Sequence, residues 1–191
     1  MPVLAKVLTT SVPYRLFARR VLLPWVLQGE RPAGEGLEIG AGSGAMTAQL
    51  LAAFPGLQMV ATDYDPDMVR AARQTLAPFG GRASIERADA ADLPFGDGRY
   101  DLVFSAAMLH HVLAWEKALA EAVRVLRPGG RLVGYDLLDT PPIRLLHLGH
   151  DTRLLRPGQL EAELAQLAVT NVRTRLDAGG LVIRFTATKT G

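Results

Sequence analysis

The chain has 191 residues, of which 49% are apolar and 21% charged, with a net charge of +2 and no cysteine. That length supports one domain with a substantial core, and the composition excludes a disordered chain. Without cysteine there is no disulfide scaffold, thiolate metal site or cysteine nucleophile, which fits a reducing cytoplasm.

The arginines are scattered, with Arg19-Arg20 the only adjacent pair. A nucleic-acid footprint would be a clustered patch, so nucleic acid is not the expected partner. Pro13, Arg15, Arg19 and Arg20 interrupt the apolar residues near the N-terminus, as a signal peptide would not. Val21 to Leu27 is far short of the roughly 20 apolar residues of a membrane span.

Residues 11–28 have the spacing of an amphipathic helix, with Tyr14, Phe17, Val21 and Val26 on the apolar side and a kink expected at Pro24. From Leu37 the pattern changes to short apolar strands alternating with helices. Strands are predicted at 37–39, 57–62, 82–87, 100–104 and 131–138. Helices are predicted at 46–54, 66–76 and 115–126. Asp65 is a natural N-cap and Pro66 a natural first helical residue. Pro128-Gly129-Gly130 is a strong breaker between the last of these helices and its strand. A helix over 157–167 and strands at 169–176 and 181–188 follow, the strands joined by a hairpin at 177–180. Such alternation implies a doubly wound α/β fold with a mostly parallel sheet and an antiparallel C-terminal strand. It is read as one domain: an N-terminal helical cap (1–35), a core (36–138), and a lid loop, helix and hairpin (139–191).

Gly40-Ala41-Gly42-Ser43-Gly44 follows a strand and opens a helix. Glycines permit a tight turn and close approach of a ligand, and the helix N-terminus adds free N–H groups and partial positive charge. Asp63, ending the second strand, is placed to accept hydrogen bonds from ribose hydroxyls. Together they indicate an adenosine-type cofactor. Gly40, Gly42 and Ala45 also satisfy the dinucleotide fingerprint, so the loop alone leaves the ligand open.

Further segments carry a resemblance. Leu37-Glu38-Ile39-Gly40-Ala41-Gly42-Ser43-Gly44 resembles the first motif of class I methyltransferases that use S-adenosylmethionine (SAM), especially the small-molecule branch. Ala61 to Met68, Ala88 to Phe95, Tyr100 to Ser105 and Glu121 to Leu132 are similar to the motifs that follow, in the family's order over residues 37–138. The resemblance implies a seven-stranded, Rossmann-like sheet and SAM as cofactor. It assigns cofactor binding to Glu38, Gly40, Ala41, Gly42, Gly44, Asp63, Tyr64, Met68, Asp89, Ala90 and Ser105. Asp63 would hold the ribose and Asp89 would face the adenine amino group. The implied reaction moves a methyl group to O, N or C of a small or medium-sized molecule.

A sulfonium already activates its methyl group, so alignment is the main task and a general base helps only some acceptors. In the family, residues after strand four point toward the methyl; here they run from Ser105 to His111. His110 is the candidate base, since imidazole titrates near neutral pH, and Asp136 near the end of strand five is the second catalytic candidate. His147, His150 and Asp151 are spaced too loosely to form a complete metal-ligand set, so no metal is expected. Tyr14 and Arg15 fall where a helix often lids the pocket in similar proteins. Two other readings stay open: a nicotinamide-dependent oxidoreductase on the same glycine loop, and a SAM-binding protein without transferase activity.

Overall fold

The structure is a computed structural model that describes residues 18–149 and 151–191. Tyr14, Arg15 and His150 lie outside the described residues. Seven strands, β1 (Gly34–Ile39), β2 (Leu57–Asp63), β3 (Ala83–Arg87), β4 (Tyr100–Ala106), β5 (Leu126–Leu137), β6 (Val169–Asp177) and β7 (Val182–Lys189), form one sheet. Its order is β3-β2-β1-β4-β5-β7-β6. Strands β1 to β5 are mutually parallel, and β7 runs antiparallel to both β5 and β6. The doubly wound sheet with a reversed C-terminal strand is therefore observed.

Helices cover both faces, so consecutive residues are buried in β1 (Leu37, Glu38, Ile39) and in β4 (Leu102, Val103, Phe104). On one face lie α1 (Leu23–Leu27), α2 (Ala45–Ala53) and α3 (Pro66–Leu76). They pack with Met59, Leu102, Phe104 and Val133. Helix α2 carries no charge, and Met46 to Leu51 are all buried, as a helix enclosed on every side requires. Helix α3 begins as expected, with Asp65 Oδ1 accepting from Asp67 N at 2.8 Å and Pro66 in its first turn. On the other face, α4 (Trp115–Val125) and α6 (Gln159–Leu164) pack with Leu37, Ile39, Val103, Leu132 and Phe185.

Four expectations need correction. Of the helix expected over 11–28, the described residues form a π-helical turn (Ala18–Leu22) running into α1. Pro24 sits in the first turn of α1, where its missing N–H costs nothing, and Val21 is 52% exposed rather than part of the apolar face. Strand β5 starts at Leu126, not 131: Leu126 pairs with Tyr100, the Pro-Gly-Gly stretch bulges out, and pairing resumes at Arg131 with Leu102. The expected lid loop contains α5 (Pro141–Leu146). The helix expected over 157–167 shrinks to α6, because Gly158 adopts a left-handed conformation ahead of it.

Candidate cofactor crevice and histidine cluster

The glycine loop leaves the carboxyl end of β1, with Ala41 N donating to Thr62 O of β2 at 2.8 Å and Met108, just after β4, against Gly40. Gly40, Gly42 and Gly44 have φ of 64°, 54° and 76°, a region that L side chains rarely adopt. A Cβ on Gly40 would lie 2.7 Å from Met108 Cβ, so the close approach of the β4 loop needs glycine there. Around Gly42, by contrast, a Cβ would meet nothing within 4 Å. Asp63 ties this loop down: Oδ2 accepts from Gly42 N at 2.7 Å and Oδ1 from Asp65 N at 2.9 Å. Burial raises its pKa despite these bonds. Each oxygen keeps a second lone pair for a ligand hydroxyl.

Glu38 lies beneath, 1% exposed, accepting from Thr47 Oγ1 in the first turn of α2. Burial pushes its carboxyl up to about 8, so it carries its proton at neutral pH. Its contacts make it a strut between β1 and α2.

The third wall is the loop after β3. Ala88 N donates to Asp63 O at 3.1 Å, and Asp89 Oδ1 accepts from Ala91 N at 2.9 Å. Asp89 is exposed, Ala90 and Met68 are buried, and Tyr64 is 66% exposed beneath the Arg87 guanidinium. Glu121 and Arg124 fall in the segment Glu121 to Leu132 that carries the resemblance, and the structure shows what they do. Arg124 donates to the carbonyls of Phe95 (2.8 Å) and Leu93 (3.1 Å), to Asp97 (2.6 Å) and to Glu121, while Glu121 accepts from Leu93 N at 2.8 Å. This network fastens the loop to α4 and holds the Glu121 carboxyl below its ordinary pKa. Ser105, near the end of β4, is 1% exposed, and its Oγ has no hydrogen-bond partner among the described residues. A buried orphan hydroxyl, an open glycine and two backbone-anchored acids suit an adenosine-bearing ligand.

Beside this crevice, the single turn Leu109–His111 follows β4. Asp136, fully buried on β5, accepts from His110 Nδ1 at 2.6 Å, from Leu109 N at 2.7 Å and from Leu137 N at 2.7 Å. The two catalytic candidates are thus one dyad. His110 is only 2% exposed, and the rings of His111 and His147 pack on it at centroid distances of 4.1 and 5.0 Å. His147 ends α5 and lines a cavity of about 370 Å³ with Asp139, Arg144 and Thr152. The segment closes over the site through Arg153, whose N–H donates to His110 O at 2.8 Å and whose side chain pairs with Glu116 at 2.6 Å. Asp151 does not join this group.

The profile of the methyltransferase domain family matches residues 37–134. A demethylmenaquinone methyltransferase of Clavibacter sepedonicus is 37% identical over 138 residues, covering 72% of this chain and 52% of the relative. Its counterpart in Thermus thermophilus is 39% identical over 106 residues, covering 56% of this chain and 47% of its own. The chain thus spans about half the length of these curated relatives. Among solved structures, a protein of Pyrococcus horikoshii superposes with a TM-score of 0.78 at 20% identity, covering 95% of this chain and 93% of its own. That likeness shows the fold. The chain belongs to the methyltransferase domain family.

Proposed function

We propose that this member of the methyltransferase domain family binds SAM in the crevice between the glycine loop, Asp63 and the loop after β3, and methylates a small molecule. When bound, SAM supplies an electrophilic methyl group. The observation that carries the reading is Asp63, which locks the glycine loop through Gly42 N while keeping acceptor lone pairs for ribose hydroxyls. Ser105 Oγ and the loop held by Arg124 add polar contacts on the adenine side. Family membership supports this over the nicotinamide reading that the glycine loop left open.

On the acceptor side, Asp136 fixes His110 with Nδ1 protonated, so that Nε2 can receive the acceptor's proton as the methyl arrives. Asp136 spends its oxygens on His110 and two backbone N–H groups, which makes it a positioning residue rather than a base. The rings of His111 and His147 cover His110, so one of them must shift before an acceptor reaches it. Leu145, Leu146 and Leu148 are 70%, 72% and 70% exposed on this segment, which favours an acceptor with an apolar portion. Small-molecule methylation also agrees with the quinone methyltransferases among the relatives. Among the described residues, no helix is long and apolar enough to cross a membrane. One domain and a cytoplasmic location belong to the same proposal.

A thermal-shift titration tests it. SAM at 100 times its dissociation constant should stabilise the protein by about 2.7 kcal/mol, and S-adenosylhomocysteine should do likewise. A shift with NADH and none with SAM would overturn the assignment.

A further inference from the structure

The histidine cluster has a use that methyl transfer does not require. His110, His111 and His147 each place one ligand-capable nitrogen within 4.8 Å of the others. The rings of His110 and His147 are oriented from behind. His110 gives Nδ1 to the buried Asp136 carboxylate at 2.6 Å, and His147 gives Nδ1 to Ile143 O at 2.9 Å. In a neutral imidazole, a proton held on Nδ1 leaves the lone pair on Nε2. Metal-binding histidines are anchored in this way, by a carboxylate or a backbone carbonyl on the far nitrogen.

We propose that His110, His111 and His147 form a site for a first-row divalent cation, its fourth position left for water or an acceptor oxygen. Three imidazoles without a carboxylate ligand suit zinc, cobalt, nickel or copper, and disfavour magnesium and calcium. Three protein ligands with one open position is the pattern of catalytic rather than structural zinc. With metal–nitrogen bonds of about 2.0–2.1 Å, tetrahedral geometry sets neighbouring nitrogens about 3.3 Å apart. The rings must therefore draw together. His110 is the fixed anchor, whereas His111 is exposed and His147 half-buried at the end of a six-residue helix. Closing His147 onto the ion would also pin the segment after α5 over the site.

Metal binding stands on the side chains alone; only its part in the reaction rests on the methyl-transfer reading. In the loaded protein, His110 Nε2 is a ligand and no longer a base. An acceptor hydroxyl would then lose its proton to solvent at the metal, and its oxygen would take the methyl group as the S–CH₃ bond of SAM breaks and S-adenosylhomocysteine leaves.

The test is a titration of the whole chain, stripped of metal and free of SAM, with cobalt(II) and zinc(II). One equivalent of cobalt should produce the intense visible absorption of four-coordinate Co(II), and zinc should bleach it. His147→Ala and His111→Ala should each weaken binding by at least about tenfold, and Asp136→Asn by about 10–100-fold through the lost orientation of His110. Should Asp136→Asn fail to fold, the two surface histidine variants decide. No binding at millimolar metal, or unchanged affinity in both histidine variants, overturns the site and leaves only a packed cluster of rings. SAM affinity measured on the same metal-free samples reports separately on the cofactor reading.

Discussion

Glu38 offers a sharp test of how the crevice is built. Its side chain is 1% exposed beneath the glycine loop. Burial raises its pKa from 4.5 to about 8, the bonds from Thr47 offset only part of this, and the charge of Asp63 adds to it. A carboxyl whose folded pKa is raised favours the fold in its protonated form. Its contribution is therefore complete below the unfolded pKa near 4.5 and is lost as pH rises through about 8. One proton changes stability by about 1.4 kcal/mol per pH unit in that window, so the wild-type protein should lose about 3 kcal/mol between pH 5 and pH 7 from this group. Glu38→Gln cannot titrate, yet it keeps a carbonyl oxygen for Thr47 Oγ1. Urea unfolding of both proteins from pH 5 to pH 8 should give a variant curve flatter by that amount. Parallel curves would refute the reasoning. They would mean that water or the α2 N-terminus stabilises the ionised carboxylate.

Asp63→Asn replaces one acceptor oxygen with an NH₂ group, leaving Gly42 N or Asp65 N without its acceptor. Calorimetry should show SAM binding weakened by about 1.5–3 kcal/mol, the range for hydrogen bonds to a charged group; unchanged affinity would remove Asp63 from the site. Arg124→Ala strips the carbonyls of Leu93 and Phe95 of their donor and should cost about 1–3 kcal/mol at neutral pH. Because Arg124 lowers the Glu121 pKa, that pair stabilises the fold above the unfolded value of 4.5 and its contribution fades in acid. Denaturation curves of wild type and variant should therefore converge as pH falls. Gly40→Ala forces a Cβ against Met108 at a φ of 64° and should destabilise the fold by about 1–3 kcal/mol in chemical denaturation. Gly42→Ala, with open space around it, should cost less stability and more SAM affinity.

The elements around the glycine loop were legible in the sequence because their determinants are local. Asp65-Pro66 marked the start of α3, since a cap and a first-turn proline act within a few residues. The glycines of the loop marked positive φ for the same reason. What was not legible depends on distant partners. Pro128-Gly129-Gly130 ended α4 as expected, but Leu126 still pairs with Tyr100, because a breaker stops a helix without forbidding a ladder bond outside the bulge. Helix α5 had a signal, Pro141-Pro142 at its start, but six residues are too few for a periodic pattern. His147 is the plainest case: the fold brings it to His110 and His111, which lie before β5 in the chain.

The two halves of the site are held by different kinds of bond, and that difference bears on how they respond to change. The glycine-loop half is fixed by partly buried carboxylates gripping backbone N–H groups: Asp63 on Gly42 and Asp65, and Glu121 on Leu93. Such bonds leave little freedom, because breaking one strands a partly buried donor. The acceptor half has one such anchor, Asp136, which fixes His110 and Leu109. The segment above it is tied by the Arg153–Glu116 pair, whose side chains are 45% and 33% exposed. An ion pair that open contributes about 0–1 kcal/mol. Opening α5 and the residues that follow it therefore costs far less than opening the glycine loop. Hydrogen exchange should show it, with amides of residues 141–149 exchanging well ahead of those in β1 and α2.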